Sequence, residues 1–195
     1  MIVQRLLELR HSTKNEAIMQ AAGGREHSPA HFQFMKAVHT LWFVAMVVEV
    51  LLFAPARDFF INTRGEFWQW WLAGGALLLT LAGQTLRYAA IRTLGSRWSV
   101  RIMTVPDSPA VSGGVYRFIR HPNYLGVILE IAAVPLLHGA FLTSIAFTLL
   151  NALGLWIRIR AEEQALREEY EYADRLGDRA RFVALRAGES SGDSP

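Results

Sequence analysis

The chain has 195 residues, enough for one domain, and 52% of them are hydrophobic. Its mean hydropathy of +0.20 is high for a soluble protein of this length, in which surface residues dilute the core. The sequence contains no cysteine, which excludes disulfides and thiolate chemistry, and its six histidines form no HExxH motif, so we expect no metal site. The net charge of +3 is distributed among loops in a way that does not indicate nucleic-acid binding.

Residues 1–36 form a polar lead-in that we expect to be partly helical and to break at the Gly-Gly pair that begins at Gly23. The first nine residues are apolar in part, but they include Gln4, Arg5 and Glu8 and are too few for the core of a signal peptide. This stretch is either a helix in the membrane interface or the stub of a longer first span.

Four apolar segments approach or reach the roughly 20 residues that cross a bilayer as a helix. We therefore predict an all-α integral membrane protein with about four transmembrane helices. A soluble all-α domain is the alternative, but it would have to hide the second and fourth segments on every side. The four segments are residues 39–53, 67–88, 124–137 and 140–157.

Basic residues are concentrated in alternate connections between these segments. The connection over residues 92–120 holds five arginines and one acidic residue, whereas the connection over residues 54–66 holds two basic and two acidic residues. Because basic loops tend to remain in the cytoplasm, this pattern places the N-terminus, residues 92–120 and the C-terminal tail on the cytoplasmic side. The 54–66 loop and the tight turn at His138-Gly139 are then expected on the opposite side.

The third apolar segment begins next to His121 and Pro122. Pro122 lacks an amide hydrogen and disfavours helix at His121, so the pair is suited to begin a helix. The unpaired N–H groups at such a helix start can bind a carboxylate or another anionic group. With Tyr116 and Tyr124 nearby, the region is either a binding site for an aromatic or charged small molecule or a belt of interfacial residues.

Several charged residues lie within or next to the apolar segments. Arg158 directly follows an apolar run and shares a helix face with Glu162, and a charge at that depth is usually paired or functional. Glu49 and Glu130 lie inside apolar segments, where an unpaired charge costs at least about 2.5 kcal/mol. Each should therefore be protonated, hydrogen-bonded or facing a polar cavity, and Glu130, near the His121 helix start, is the better functional candidate.

Two motifs together resemble the isoprenylcysteine carboxyl methyltransferase family, whose members are integral membrane enzymes that use S-adenosylmethionine. Either motif alone would be weak evidence, but the pair in this order, flanked by apolar segments, is specific. The resemblance covers about residues 93–170. The motifs are Gly114-Val-Tyr116 with Arg120-His-Pro-Asn-Tyr124, and then Arg158-x-x-x-Glu162-Glu163-x-x-Leu166.

The resemblance implies that the first motif holds S-adenosylmethionine and that Glu162 is an acidic contact to this cofactor. It also implies that Arg158 faces a lipophilic acceptor, which is methylated on a carboxylate or on a phenol or enol oxygen. A carboxylate needs no base, whereas a phenol or enol would benefit from one, for which Glu130 is the candidate. The residues expected to contact the cofactor are Tyr116, His121, Pro122, Asn123, Tyr124 and Glu162, with Val111 and Arg101 in the preceding loop.

Residues 4–15 and 121–136 look more like a bacterial branch of this family, which acts on alkylpyrones or phenolic lipids, than like the enzymes for prenylated proteins. The expected partners are then a lipophilic acceptor and membrane lipid, without nucleic acid. Two other functions stay open at this point: a membrane reductase of sterol-reductase-like architecture that uses NADPH, and a non-enzymatic membrane scaffold or lipid carrier. Dinucleotide binding would indicate the reductase, and dispensable RHPNY and RxxxEE residues would indicate the scaffold.

We predict a single membrane methyltransferase domain over residues 1–187 and a disordered tail at residues 188–195, which are small and polar. The turn residues of the loop before His121 make a continuous helix there improbable. A helix should continue beyond the last span, because residues 158–176 contain no glycine or proline. The domain is divided into a lead-in (1–36), two spans (37–91), a cofactor loop (92–123), two spans (124–157) and a cytoplasmic helix (158–187).

Overall fold

The computed structural model of the chain describes residues 2–53, 67–106, 108 and 111–169. Most of these residues lie in five α-helices, which agrees with the predicted all-α class. The helices are α1 (Ile2–Ala21), α2 (Pro29–Leu52), α3 (Phe67–Leu94), α4 (Pro122–Leu137) and α5 (Phe141–Glu169). The remaining elements are the strands β1 (Arg25–His27) and β2 (Ile102–Thr104) and the 3-10 helices Gly95–Arg97 and Gly114–Arg117.

Glycine and proline mark most of the helix boundaries, as the sequence predicts. α1 ends just before Gly23, which has a φ of 81° and so terminates the helix in a left-handed conformation. α4 begins at Pro122, and Gly139, with a φ of 70°, forms the turn into α5. α2 begins at Pro29, so the end of the predicted lead-in already belongs to this helix. α5 continues beyond residue 157 as predicted, while the rest of the predicted cytoplasmic helix and the tail lie outside the described residues.

The backbones of α3 and α4 approach each other closely at two glycines. A Cβ placed on Gly83 would lie 2.9 Å from the carbonyl oxygen of Gly126, and a Cβ on Gly126 would lie 2.7 Å from that of Gly83. Small residues allow this kind of contact between membrane helices, where dispersion rather than the hydrophobic effect drives association. The contact fixes the start of α4, and hence the first motif, against α3.

The apolar core lies between α2, α4 and α5, while the outer faces of the helices are also apolar. Leu52, Leu78 and Leu149 are each at least 68% exposed. Helices that are apolar on both their inner and outer faces are suited to lipid rather than to water. The core side chains include Met35, Trp42, Val127, Ile131, Leu155 and Ile159.

In the described part of the chain, two helices are long and apolar enough to cross a membrane, namely Pro29–Leu52 and Phe141–Glu168. α4 is apolar but has only 16 residues, and α3 has 28 residues but contains Gln69 and Arg87 between its apolar side chains. The structure therefore supports two spans by length and composition, and the total of four remains a prediction.

A small antiparallel sheet connects the lead-in to the loop before α4. Arg25 pairs with Thr104 and His27 with Ile102, an arrangement that the sequence does not predict. His27 Nε2 also lies 2.8 Å from Thr104 Oγ1, on the same pair of strands. The sheet holds the predicted cofactor loop next to α1.

Glu49, one of the two carboxylates inside an apolar segment, caps the start of α5. Its Oε1 accepts a hydrogen bond from the Leu142 amide at 2.9 Å, and its Oε2 accepts one from the Thr143 amide at 2.7 Å. The first N–H groups of a helix have no partner within the helix, so the carboxylate satisfies two of them. Glu49 therefore has a structural role.

Candidate active site

The two motifs meet where the start of α4 packs against the C-terminal part of α5. His121 precedes α4 in a non-helical conformation, and its carbonyl accepts the first helical bond, from Leu125 N at 3.1 Å. Pro122 occupies the first turn, as its missing amide hydrogen favours. The side chains of His121 and Tyr124, on either side of the turn that Pro122 begins, thereby contact the RxxxEE residues of α5.

Tyr124 lies between the two charged residues that the sequence placed on one face of α5. Its hydroxyl donates a hydrogen bond to Glu162 and accepts one from Arg158 Nε at 2.7 Å. The Arg158 guanidinium carbon also lies 5.5 Å from the centre of the Tyr124 ring, within range of a cation–π interaction. Arg158 is 7% and Tyr124 9% exposed, so the contact is shielded from solvent.

His121 is fixed by Glu163, the second acidic residue of the motif. Its Nε2 lies 3.0 Å from Glu163 Oε1, and Arg120 Nη1 lies 3.3 Å from the same oxygen. The His121 ring stacks on Tyr124 with centroids 5.4 Å apart. Glu163 thus binds both His121 and Arg120. Its place in the second motif does not show which residues it contacts.

A first cavity opens on one side of Tyr124 and encloses about 140 Å³ between the described residues. Most of the expected cofactor contacts lie on its wall, but Pro122 and Asn123 do not. Arg120 also lines it, and within the described part of the chain its buried Nε has no hydrogen-bond partner. The expected contacts that line the cavity are Arg101, Val111, Tyr116, His121, Tyr124 and Glu162.

Tyr116 reaches this cavity because Gly114 approaches α3 closely. Gly114 has a φ of 54°, and a Cβ at this position would lie 2.5 Å from Thr93 Oγ1. Only glycine combines the left-handed conformation with this approach. The 3-10 helix Gly114–Arg117 is thereby held against α3, and Tyr116 is buried at the cavity wall.

Arg101 lines the same cavity, but its guanidinium group is already bound by protein carboxylates. Its Nη1 lies 2.7 Å from Glu26, and its Nε lies 3.2 Å from Glu16. The guanidinium carbon is also 4.7 Å from the centre of the Phe32 ring. These contacts link α1, β1 and the loop, so Arg101 braces the cavity wall.

A second, larger cavity of about 280 Å³ lies on the other side of Tyr124. Its wall is mostly apolar and includes Phe43, Val127 and Leu155, but Arg158 and Asn123 also contribute to it. Asn123 therefore faces this cavity rather than the expected cofactor side. Three residues line both cavities, namely Ser99, Tyr124 and Arg158.

Glu130, the expected base, lies on the wall of the second cavity in a partly buried cluster of four charged residues. Its Oε2 accepts a hydrogen bond from Arg5, and its Oε1 lies 3.4 Å from Arg87 Nε. Glu8 accepts hydrogen bonds from Arg5 at 2.7 Å and from Arg87 at 2.5 Å. Burial alone would raise the pKa of Glu8, but the adjacent Arg87 and Arg5 outweigh it and hold this pKa below its usual value.

The cluster attaches α1 to α3 and α4, which sequence reasoning did not foresee. Arg87 lies within an apolar run, like Glu130. The same sequence signal could therefore have identified Arg87 as a paired or functional charge. Arg5 and Glu8 carry no such signal, because they lie in a polar segment. Among the described residues no group of three or more His, Asp or Glu side chains could hold a metal ion, and His27 and His31, four apart, lie on different elements.

The chain is similar to several known proteins. A sequence model of the Isoprenylcysteine carboxyl methyltransferase (ICMT) family matches residues 76–168. YpbQ of Bacillus subtilis strain 168, an uncharacterised protein, is 37% identical over 86% of this chain and 93% of its own length. Protein-S-isoprenylcysteine O-methyltransferase B of Arabidopsis thaliana is 27% identical over 72% of this chain and 73% of its own length.

A solved structure has a similar fold. It is the structure of the eukaryotic intramembrane Ras methyltransferase ICMT without a monobody, with a TM-score of 0.55 and 25% identity over 77% of this chain. The chain spans 50% of that solved chain. The residues that the family model matches include both motifs, and with them Tyr124, Arg158 and Glu162. This chain therefore belongs to the isoprenylcysteine carboxyl methyltransferase family of membrane proteins.

Proposed function

We propose that the protein is an S-adenosylmethionine-dependent methyltransferase that transfers a methyl group to an oxygen of a lipophilic acceptor. The observation that carries this proposal is the pair of cavities that meet at Tyr124 and Arg158, one lined by polar and apolar side chains together and one with a mostly apolar wall. A polar cofactor and an apolar acceptor bound on the two sides would have their reactive groups at this common wall.

The side chains of the first cavity fit the chemistry of S-adenosylmethionine. Arg120 Nε, which has no hydrogen-bond partner among the described residues, suits the cofactor carboxylate. The Glu162 carboxylate suits the amino or hydroxyl groups of the cofactor. The Tyr116 and His121 rings provide surfaces for the adenine base. When bound, S-adenosylmethionine supplies an activated methyl group. The contribution of the chain is then to bind, to orient the acceptor oxygen and to exclude water.

The second cavity fits an acceptor with a long hydrocarbon chain and an acidic oxygen. Its apolar wall suits the chain, and its charged residues comprise four cations and two carboxylates. Arg158 would orient the acceptor oxygen, while Glu130 is the candidate base for a phenol. The excess of cations favours an acidic acceptor oxygen, which becomes negatively charged when it loses its proton. Because residues 4–15 and 121–136 resemble the bacterial branch of the family, we propose an alkylpyrone or phenolic lipid. The charged residues are Arg5, Lys36, Arg87 and Arg158, with Glu8 and Glu130.

The test is binding and methyl transfer by the purified full-length protein in lipid nanodiscs. We expect S-adenosylhomocysteine to raise the melting temperature, because a ligand at one hundred times its Kd stabilises the folded state by about 2.7 kcal/mol. NADPH should have no such effect. Labelled methyl groups from S-adenosylmethionine should appear on a long-chain alkylresorcinol or alkylpyrone, and N-acetyl-S-farnesylcysteine serves as the prenylated comparison. Stabilisation by NADPH alone would overturn the proposal.

A further inference from the structure

Arg158 is held on a second side by the backbone of the loop that follows α3. Its Nη2 donates a hydrogen bond to the Val100 carbonyl at 2.6 Å, while its Nε is bound to Tyr124. Val100 lies in a bend, outside any helix or strand. No regular backbone hydrogen-bond ladder therefore fixes this carbonyl, and its position depends on what else the segment contacts.

Asn15 of α1 binds the segment just before Val100. Its Nδ2 donates hydrogen bonds to the carbonyl oxygens of Trp98 at 2.8 Å and Gly95 at 3.0 Å. Asn15 is 2% exposed, so these bonds are protected from competing water. One amide group thereby fixes the chain at the first residue of the 3-10 helix Gly95–Arg97 and at the residue that follows this helix.

Ser12, one turn earlier on α1, binds Val100 itself. Its Oγ accepts a hydrogen bond from Val100 N at 2.9 Å and donates one to Glu16 Oε1 at 2.6 Å. Ser99 Oγ donates to the same Glu16 oxygen at 2.8 Å. Ser12 is completely buried, and the amide that it holds belongs to the residue whose carbonyl binds Arg158.

We propose that Ser12 and Asn15 are positioning residues for methyl transfer, because α1 sets the position of the Val100 carbonyl and, through it, the Arg158 guanidinium group. The inference rests on the proposed function, in which Arg158 orients the acceptor oxygen. It adds to the site two residues of α1 that line neither cavity and lie outside the matched family region, residues 76–168. A purely structural role for α1 would instead affect stability, cofactor binding and transfer together.

The test compares Ser12→Ala with Thr13→Ala in the full-length protein in nanodiscs. Thr13 is the matched control, because it is adjacent and exposed, and its hydroxyl donates a hydrogen bond to the backbone oxygen of Leu9 at 3.1 Å. For Ser12→Ala we expect methyl transfer to a long-chain alkylresorcinol to slow about tenfold, with S-adenosylhomocysteine affinity within about threefold of wild type. Hydrogen exchange at the Val100 amide should accelerate in this variant and not in Thr13→Ala. Asn15→Ala should behave like Ser12→Ala and serves as the second variant.

A double-mutant cycle with Arg158→Lys distinguishes positioning from general stabilisation. If Ser12 acts by orienting the guanidinium plane of Arg158, adding Ser12→Ala to the Arg158→Lys variant should slow methyl transfer by less than about threefold. The reason is that the flexible lysine ammonium has no plane to be oriented. A full tenfold loss in both backgrounds, or unchanged transfer in Ser12→Ala, would overturn the inference. Binding of S-adenosylhomocysteine by the wild-type protein is a separate measurement. Failure to bind it would overturn the proposed function instead.

Discussion

Tyr124 accepts a hydrogen bond from Arg158 Nε at 2.7 Å and donates one to Glu162, so one hydroxyl group joins the two cavities. Tyr124→Phe would keep the ring that stacks on His121 and remove only this link. We expect the variant to lose about tenfold or more in transfer rate, because a hydrogen bond to a charged group contributes about 1.5–3 kcal/mol. Cofactor affinity should change less, since Tyr116 and His121 still line that cavity.

Single-turnover methyl transfer and S-adenosylhomocysteine titration would measure these two effects separately. Tyr88→Phe is the control, because Tyr88 is 65% exposed on α3 and lines neither cavity. An unchanged transfer rate in Tyr124→Phe would mean that Arg158 needs no support from the hydroxyl.

Arg158 and Glu162 should divide the roles of acceptor and cofactor binding. Arg158→Ala should abolish transfer while leaving S-adenosylhomocysteine affinity within about threefold, and Glu162→Gln should weaken cofactor binding about tenfold or more. Arg158→Lys should rescue transfer only in part, because an ammonium cannot reproduce the contacts of the guanidinium group with both Tyr124 and Val100.

The two residues share Tyr124, so their effects on cofactor binding can be coupled. A double-mutant cycle of Arg158→Ala and Glu162→Gln on S-adenosylhomocysteine affinity measures this coupling. If Arg158→Ala loses cofactor binding as severely as Glu162→Gln while keeping its melting temperature, both residues belong to the cofactor site and the division of roles is wrong.

The orientation inferred from the arginine distribution can be tested with reporter fusions. A reporter placed after Gly139 should lie on the opposite side of the membrane from one placed after Ser112 or after Glu168. Protease protection in oriented vesicles gives the readout. If the reporter after Gly139 lies on the same side as the other two, α4 and α5 do not cross the membrane as a pair of spans. The predicted cytoplasmic position of the cofactor site would then be wrong as well.

Glu49 should contribute to stability and not to catalysis. Glu49→Ala would leave the amides of Leu142 and Thr143 without their carboxylate partner in an apolar environment, at a cost of about 2–3 kcal/mol. Glu49→Gln keeps one oxygen acceptor and should lose less. Thermal unfolding of the three proteins, with methyl transfer measured below the transition, is the test. Wild-type stability in Glu49→Ala would contradict the capping role.

The sequence predicts the local features of the site because they depend on residues close together in the chain. Pro122 begins α4, and the i, i+4 spacing of Arg158 and Glu162 puts both on one face of α5. The contacts of Ser12 with Ser99 and Val100 could not be predicted, because a polar residue in a polar segment gives no signal of burial. Helix periodicity shows which faces can pack but not which distant segment packs against them.

The same limit applies to the role of individual carboxylates. Glu49 and Glu130 give the same sequence signal, a charge within an apolar run, which predicts that each is protonated, hydrogen-bonded or facing a polar cavity. In the structure Glu49 caps a helix, while Glu130 faces Arg5 and Arg87 on the cavity wall. Only the three-dimensional arrangement distinguishes a helix cap from a residue of the acceptor cavity.

The contact between α3 and α4 predicts opposite effects for two glycines of the same helix. In Gly83→Ala the new methyl group would lie 2.9 Å from the Gly126 carbonyl oxygen and 3.2 Å from Glu130 Cγ, so the helices must separate. We expect overpacking to destabilise the protein by about 1–3 kcal/mol, partly offset by the higher helix propensity of alanine. A Cβ at Gly74 meets no atom within 4 Å, so Gly74→Ala should be neutral or stabilising by up to about 1 kcal/mol.

Thermal unfolding in nanodiscs would compare the two variants with the wild-type protein, and methyl transfer would report on the site. Gly83→Ala should also slow transfer, because Gly126 and Glu130 follow the first motif on α4 and a shift of that helix would move Tyr124 away from Arg158. Equal melting temperatures for Gly83→Ala and Gly74→Ala would show that α3 and α4 can separate without cost. The close backbone contact would then not be what holds the first motif in place.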